Sequence, residues 1–282
     1  MKNCNSTLRI LVFFITLLTV APSNSQTLWE YNITDLEPVD LIITYSLNWQ
    51  QDSTNPEAIR KEDMYLFVGK NISKFMSKNN FISDTVARHI KTAEELQQML
   101  LDPARPLPTS GVIYSIYKDY PDGKMTFLRP TIDGKFKFEE EMNLFNWQLT
   151  GDTATITGYK AQKATTDFGG RSWVAWFTPE IPSSNGPYKF NGLPGLIVKV
   201  SDTKNHYVFE LKSIEKPDRA LMIDIDADDF TTVTKQEYFK VVDAIRIDII
   251  SRAKEKGLSS SSQQTAARNL KKRNNPIELI RE

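Results

Sequence analysis

The chain has 282 residues, of which 40% are apolar and 25% charged, the composition of an ordinary globular protein. Lysine plus arginine and aspartate plus glutamate each number 35, so there is no basic excess to neutralise phosphates and a nucleic-acid role is disfavoured. One cysteine and two histidines exclude a disulfide scaffold, a Cys-x-x-Cys redox pair and cysteine-rich zinc sites.

Residues 1–25 have the three-part layout of a secretory signal peptide: Lys2 and Arg9, an apolar stretch from Ile10 to Ala21, then small residues around Ser23 and Ser25. About 12 apolar residues cover only ~18 Å as a helix, short of the ~30 Å hydrocarbon core, so cleavage before Gln26 or Thr27 is expected rather than anchoring. Cys4 precedes that stretch, whereas a lipid-modified cysteine would follow it. Losing Lys2 and Arg9 leaves 33 basic against 35 acidic residues and no cysteine. No later run of apolar residues is long enough to span a membrane. Asn-x-Ser/Thr sequons stand at Asn5, Asn32 and Asn71 and matter only in a glycosylating host.

From Leu41 onward the dominant hydrophobic period is two, punctuated by turn dipeptides, which reads as consecutive antiparallel strands. Strands are expected at 41–49 and 63–69. A helical stretch follows between Ile82 and Leu101, where Thr92 and Glu95 form a capping box and Leu96, Met99 and Leu100 share a face. Pro103, Pro106 and Pro108 end it. A meander is expected at 112–119, 124–130 and 135–140, turning at Asp122-Gly123 and Asp133-Gly134. The next hairpin pairs 156–167 with 171–178 around Gly169-Gly170, a sequence suited to a primed turn. Trp173 and Trp176 point to opposite faces of its second strand, so at least one side needs a cover. Strands at 196–201 and 205–214 continue the sheet. Thr234 and Glu237 form a second capping box before Tyr238, Val241, Val242, Ile245 and Ile249, with Gly257 as the stop of a helix over 234–256. Ser259 to Gln264 read as linker, and Lys271, Lys272 and Arg273 as a solvated basic run.

Between Pro179 and Gly195 four prolines precede or join three glycines, a density that forbids helix and strand alike. Leu193-Pro194-Gly195-Leu196 fits a type II turn, with proline fixing φ and glycine supplying positive φ, and an apolar strand leaves from it. The stretch Gly192, Leu193, Pro194, Gly195, Leu196, Ile197 resembles the hallmark of the GLPGLI family, also called the Porph_ging family, of exported proteins from Bacteroidota. The resemblance extends through Thr157 to Ala164, Ala175 to Pro182, Gly186 to Phe190 and the ending Asn274 to Leu279. It implies a signal peptide and a cell-envelope setting, periplasm or cell surface. It brings no assigned activity and no catalytic residues, so the six motif residues are read as structural.

Other constellations have plainer readings. His206 and His89 are expected on the surface, far apart in sequence, with no nucleophile motif near either. Asp224, Asp226 and Asp228 alternate onto one face where calcium ligands could converge, but an EF-hand would need glycine at 229 and glutamate at 235, and Asp229 and Lys235 stand there. Glu139 and Glu141 share a strand face, as a carboxylate pair for glycoside hydrolysis would require. Trp147, Trp173 and Trp176 are a sugar-stacking platform or core aromatics.

The sequence therefore predicts an α+β fold: a signal peptide at 1–25, one domain over 26–258 and a flexible basic tail at 259–282. The domain is a curved, mostly antiparallel sheet of eight to ten strands, open or closed into a barrel, with one inserted helix near 84–101 and one C-terminal helix. The leading functional expectation is a non-enzymatic envelope protein, without cofactor or metal, that binds an apolar molecule or an envelope partner. The alternatives are a hydrolase using Glu139, Glu141 or the Asp224 cluster, and an accessory subunit of an outer-membrane transporter.

Overall fold

The computed structural model describes residues 32–102, 106–226 and 230–280. The expected signal peptide, Asp228 and Asp229 lie outside these residues.

Side-chain alternation sorts the sheet into two faces. In β2 (Leu41–Gln50) Ile43, Tyr45 and Leu47 are buried on the inner face. In β3 (Ile59–Val68) Met64 and Leu66 join them, while Phe67 turns to the outer face. The pattern repeats through β4 (Ser73–Ser77), β5 (Ser115–Lys118) and β6 (Lys124–Thr131): Phe75, Ile116 and Phe127 point in, Met76, Tyr117 and Leu128 out. Next come β7 (Gly134–Glu141), β8 (Gln148–Ile156), β9 (Tyr159–Phe168), β10 (Arg171–Thr178), β11 (Leu196–Asp202) and β12 (Tyr207–Glu215). With the short β14 (Thr231–Thr232) they form one twelve-stranded sheet of order β14-β7-β6-β5-β4-β3-β2-β12-β11-β10-β9-β8. Neighbours are antiparallel except β14, which runs parallel to β7. The sheet is not closed into a barrel. It does bend: Phe75 on β4 and Phe209 on β12 are separated by two strands, ~14 Å in a flat sheet, yet their ring centroids are 6.2 Å apart.

The outer face is covered by a separate ribbon of β1 (Thr34–Pro38) and β13 (Met222–Ile225) and by helix α1 (Lys78–Ala87), whose Phe81 packs 5.0 Å from Phe67. The expected single helix near 84–101 is two, α1 and α2 (Ala93–Leu101). Thr92 caps α2 with the anticipated capping box, and a cap residue must leave helical φ/ψ (here −123°, 161°), so the same signal that starts α2 interrupts the run. At the C-terminal end the second capping box starts α3 (Lys235–Ile247), Asp248 breaks the helix, and α4 (Ile249–Glu255) ends at Gly257 with φ +74°. Gly169 and Gly170 both have positive φ, as a type I′ hairpin demands. The sheet has more strands than the eight to ten expected, chiefly because β4 is short and buried at every position and β8 is largely exposed, so neither shows alternation.

Residues 259–280 differ most from the sequence reading of 259–282 as a flexible basic tail. Ser259 accepts from the Ser262 amide and caps a further helix, α5 (Ser260–Lys271). Residues 274–280 then run as a strap along the sheet, with Asn275 and Glu278 buried. The serine run that resembles a linker is a helix start, and Ala266 and Leu270, four apart, supply the inward stripe.

Candidate functional site

The proline-glycine segment between β10 and β11 is a plug that fills the inside of the bent sheet. Tyr188, Lys189 and Phe190 are buried to 2% exposure or less. Phe190 packs against Trp173 of β10 at 4.7 Å, and Tyr188 against Tyr114 beside β5 at 5.7 Å, so the plug joins strands far apart in the sheet order. Lys118 of β5 reaches the same segment. Its Nζ donates to Asn185 Oδ1 (2.8 Å) and to the carbonyls of Gly186 (2.6 Å) and Phe190 (3.0 Å). Burial pushes that ammonium well below the usual lysine range.

The hallmark residues close the segment. Leu193, Leu196 and Ile197 are buried, Pro194 is exposed, and Gly192 has φ +87°. The turn differs from the type II expected. The Gly195 amide donates to the Leu193 carbonyl at 2.8 Å, a three-residue turn about Pro194, while the Leu196 amide donates to the Ile181 carbonyl at 3.1 Å. The long-range acceptor takes the donor that a type II turn would use. Gly195 lies against the backbone of Thr178, at the end of β10.

Around Lys189 the charges of distant segments converge. Its Nζ pairs with Glu278 Oε1 at 2.6 Å and with Glu140, while Lys235 pairs with both acids at 2.8 and 3.1 Å. Tyr188 donates its hydroxyl to Glu278 at 2.5 Å, and Phe127 and Phe138 each stand 5.5 Å from the ammonium. Burial pushes the Glu278 carboxyl upward, but Lys189 and Lys235 outweigh it and hold the group below the usual carboxylate range.

The strap is held by Arg171, whose guanidinium donates to Asp202 (2.8 Å), Asn275 Oδ1 (2.6 Å) and the carbonyls of Pro276 (2.6 Å) and Ile277 (3.0 Å). Tyr207 donates to the Asn275 carbonyl and Asn275 to that of Gln50. The Gly169 carbonyl accepts from the amides of Leu279 and Ile280, so the glycine hairpin tip also seats the strap.

Sheet, helices and strap line a cleft, partly open to solvent, of about 460 Å³. Phe127 and Phe138 form its floor, Phe239 and Val242 of α3 and Leu270 of α5 face them, and Asn275 to Glu278 form part of the wall. The volume lies within the ~300–1,000 Å³ typical of pockets for one small ligand.

The candidates read from sequence stand elsewhere. Glu139 and Glu141 are exposed on β7, with Glu141 3.2 Å from Lys124, whereas Glu140 between them points inward to Lys189. Asp224 is taken by Lys74 at 2.7 Å and by Arg88, and among the described residues no acidic or histidine cluster of metal-binding kind occurs. None of Glu139, Glu141, Asp224 and Asp226 lines the cavity. His206 is half-buried, 3.4 Å from Arg171, and His89 is exposed on the Thr85 carbonyl. Trp173 is fully buried and Trp147 donates to the Asn191 carbonyl at 2.8 Å, both against the plug. The residues that sequence reasoning passed over are Glu140, Lys189, Glu278 and Arg129. Arg129 carries a readable signal: it shares strand parity with Phe127, which places a guanidinium on the apolar face.

No curated protein matches the chain in sequence. Two solved structures, described as "Structure of PNGF-II in P21 space group" and "Structure of PNGF-II in C2 space group", are similar with a TM-score of 0.49 and 15% identity, over 72% of this chain and 32% of theirs. The chain thus spans about a third of the length of those chains. The family described as "Protein of unknown function (Porph_ging)" matches residues 170–199, from the hairpin tip before β10 through the plug into β11. Those residues include the Gly-Leu-Pro-Gly-Leu-Ile run, Gly192 to Ile197, on which the sequence resemblance rests.

Proposed function

We propose that this protein is a binding module that holds a small, largely apolar molecule between the inner face of its sheet and helices α3 and α5. The observation that supports this is the 460 Å³ cavity itself. The cleft opens to solvent beside a densely packed plug, with Phe190 at 0% exposure. A mostly apolar cleft of ligand size, with a few polar groups in its wall, is the feature a carrier or receptor needs. Export through residues 1–25 would place this module in the periplasm or at the cell surface.

The test is titration of the purified protein with N-phenyl-1-naphthylamine, an uncharged apolar fluorophore. Saturable one-to-one binding is expected, weakened by about tenfold or more, equivalent to ~1.4 kcal/mol, in Val242→Trp and Ala266→Trp, which place an indole in the cavity. No saturable signal, or equal binding by both folded variants, would refute the proposal.

A further inference from the structure

The charge balance of the cavity identifies the kind of molecule it takes. Lys189, Arg129, Arg246 and Arg273 line it together with Glu278, and Lys189 is neutralised within the network it forms with Glu140, Glu278 and Lys235. Glu278 is already engaged by Lys189, Lys235 and Tyr188. No ion pair among the described residues includes Arg129 or Arg273.

Arg129 is half-buried on β6 beside Phe127, and its Nε is buried with no hydrogen-bond partner among the described residues. Buried donors of this kind are rare and costly, more so on a charged group. Arg171 of the same sheet, by contrast, is a buried guanidinium with four acceptors around it. Arg273 is exposed at the cavity rim, where Arg246 donates to its carbonyl at 3.0 Å and so ties α3 to the start of the strap. Partial desolvation, and then the positive charges of Arg129 and Arg60, push the Arg273 guanidinium below its ordinary range.

A half-buried guanidinium without a counter-ion, with a second at the rim of the same largely apolar cavity, suits an anion attached to an apolar body. Resting on the binding reading above, we infer that the ligand is an anionic amphiphile, an apolar chain or ring bearing a carboxylate or phosphate, whose head group lies against Arg129 and Arg273 while its tail occupies the space between Phe127, Phe138 and Val242. Fork-shaped guanidinium donors match either oxyanion in bidentate fashion.

The experiment compares dodecanoate, dodecyl phosphate, dodecanol and dodecylammonium, below their micelle concentrations, by calorimetric titration of the wild-type protein and of Arg129→Met, Arg273→Met and Arg129→Lys. Dodecanoate or dodecyl phosphate is expected to bind about tenfold or more tightly than dodecanol, and dodecylammonium more weakly still. Each methionine variant is expected to lose that preference while binding dodecanol within a few-fold of wild type, and Arg129→Lys to keep part of it. Equal binding of the anion and the alcohol by wild type would overturn the inference and leave the cavity reading standing. Survival of the preference in both methionine variants would overturn it likewise. If acetate or inorganic phosphate displaces dodecanoate at comparable concentration, the site takes a free anion and the amphiphile is refuted. Failure of every chain to bind would remove the cavity reading as well.

Discussion

Lys189→Met is expected to cost about 3–5 kcal/mol of folding free energy, the penalty for breaking a buried ion pair from one side. Methionine preserves much of the apolar stem between Phe127 and Phe138, so the loss is electrostatic: Glu140 and Glu278, with side chains 8% and 3% exposed, would share Lys235 alone. The pH dependence should move with it. The Glu278 carboxyl is held below its usual range in the folded protein, so its contribution is present above the unfolded value near ~4.3 and is lost as pH falls through the lower folded one. Removing Lys189 takes away part of that depression, and the acid-unfolding midpoint of the variant should therefore rise. Denaturant unfolding at neutral pH and an acid titration by circular dichroism measure both effects. A loss under about 1 kcal/mol, the scale of a surface pair, would mean that the buried network is not holding plug, helix and strap together.

Gly195→Ala is expected to cost about 3 kcal/mol or more, combining a backbone conformation disfavoured for L-residues with steric overlap. Gly195 has φ +148°, and an added Cβ would lie 2.6 Å from the Thr178 carbonyl carbon and 2.9 Å from the Pro179 nitrogen, all backbone. Relief by local movement is blocked because Thr178 and Leu196 are paired across β10 and β11. Gly192→Ala supplies the internal comparison. Its φ is +87°, but a Cβ there would meet nothing nearer than Trp147 at 4.0 Å, so only the conformational part remains, ~1–2 kcal/mol. In thermal unfolding, at roughly 2–4 °C per kcal/mol for a domain of this size, the Gly195 variant should melt well below the Gly192 variant. Equal melting points would contradict the close approach to Thr178.

What could be read from the sequence was local. Trp173, Ala175 and Phe177 face the core as their alternation requires, the two threonine capping boxes start their helices, and Gly169-Gly170 makes a primed turn, because each is decided within a few residues. The open antiparallel sheet follows from the same period-two pattern. The site is of another kind. Lys189 and Glu278 are 89 residues apart, and Lys74 and Asp224 150, so no spacing in the chain announces which charge neutralises which. Glu139, Glu140 and Glu141 look alike in sequence. Glu140 turns inward because it shares strand parity with Phe136 and Phe138, but nothing near it in the chain names Lys189 and Lys235 as its partners. The tail has the serine and lysine composition of a linker, and its docking depends on Arg171 more than a hundred residues upstream, which no local pattern shows. Even the turn at Pro194 was set from outside, by the Ile181 carbonyl that claims the Leu196 amide.

The most direct measurement of the binding account is a crystal structure of the protein grown with a brominated apolar ligand. Anomalous signal from bromine between Phe127 of the sheet, Val242 of α3 and Leu270 of α5 is the predicted result. Bromine found only on the outer surface, with the space behind the strap filled by the protein's own side chains, would contradict it.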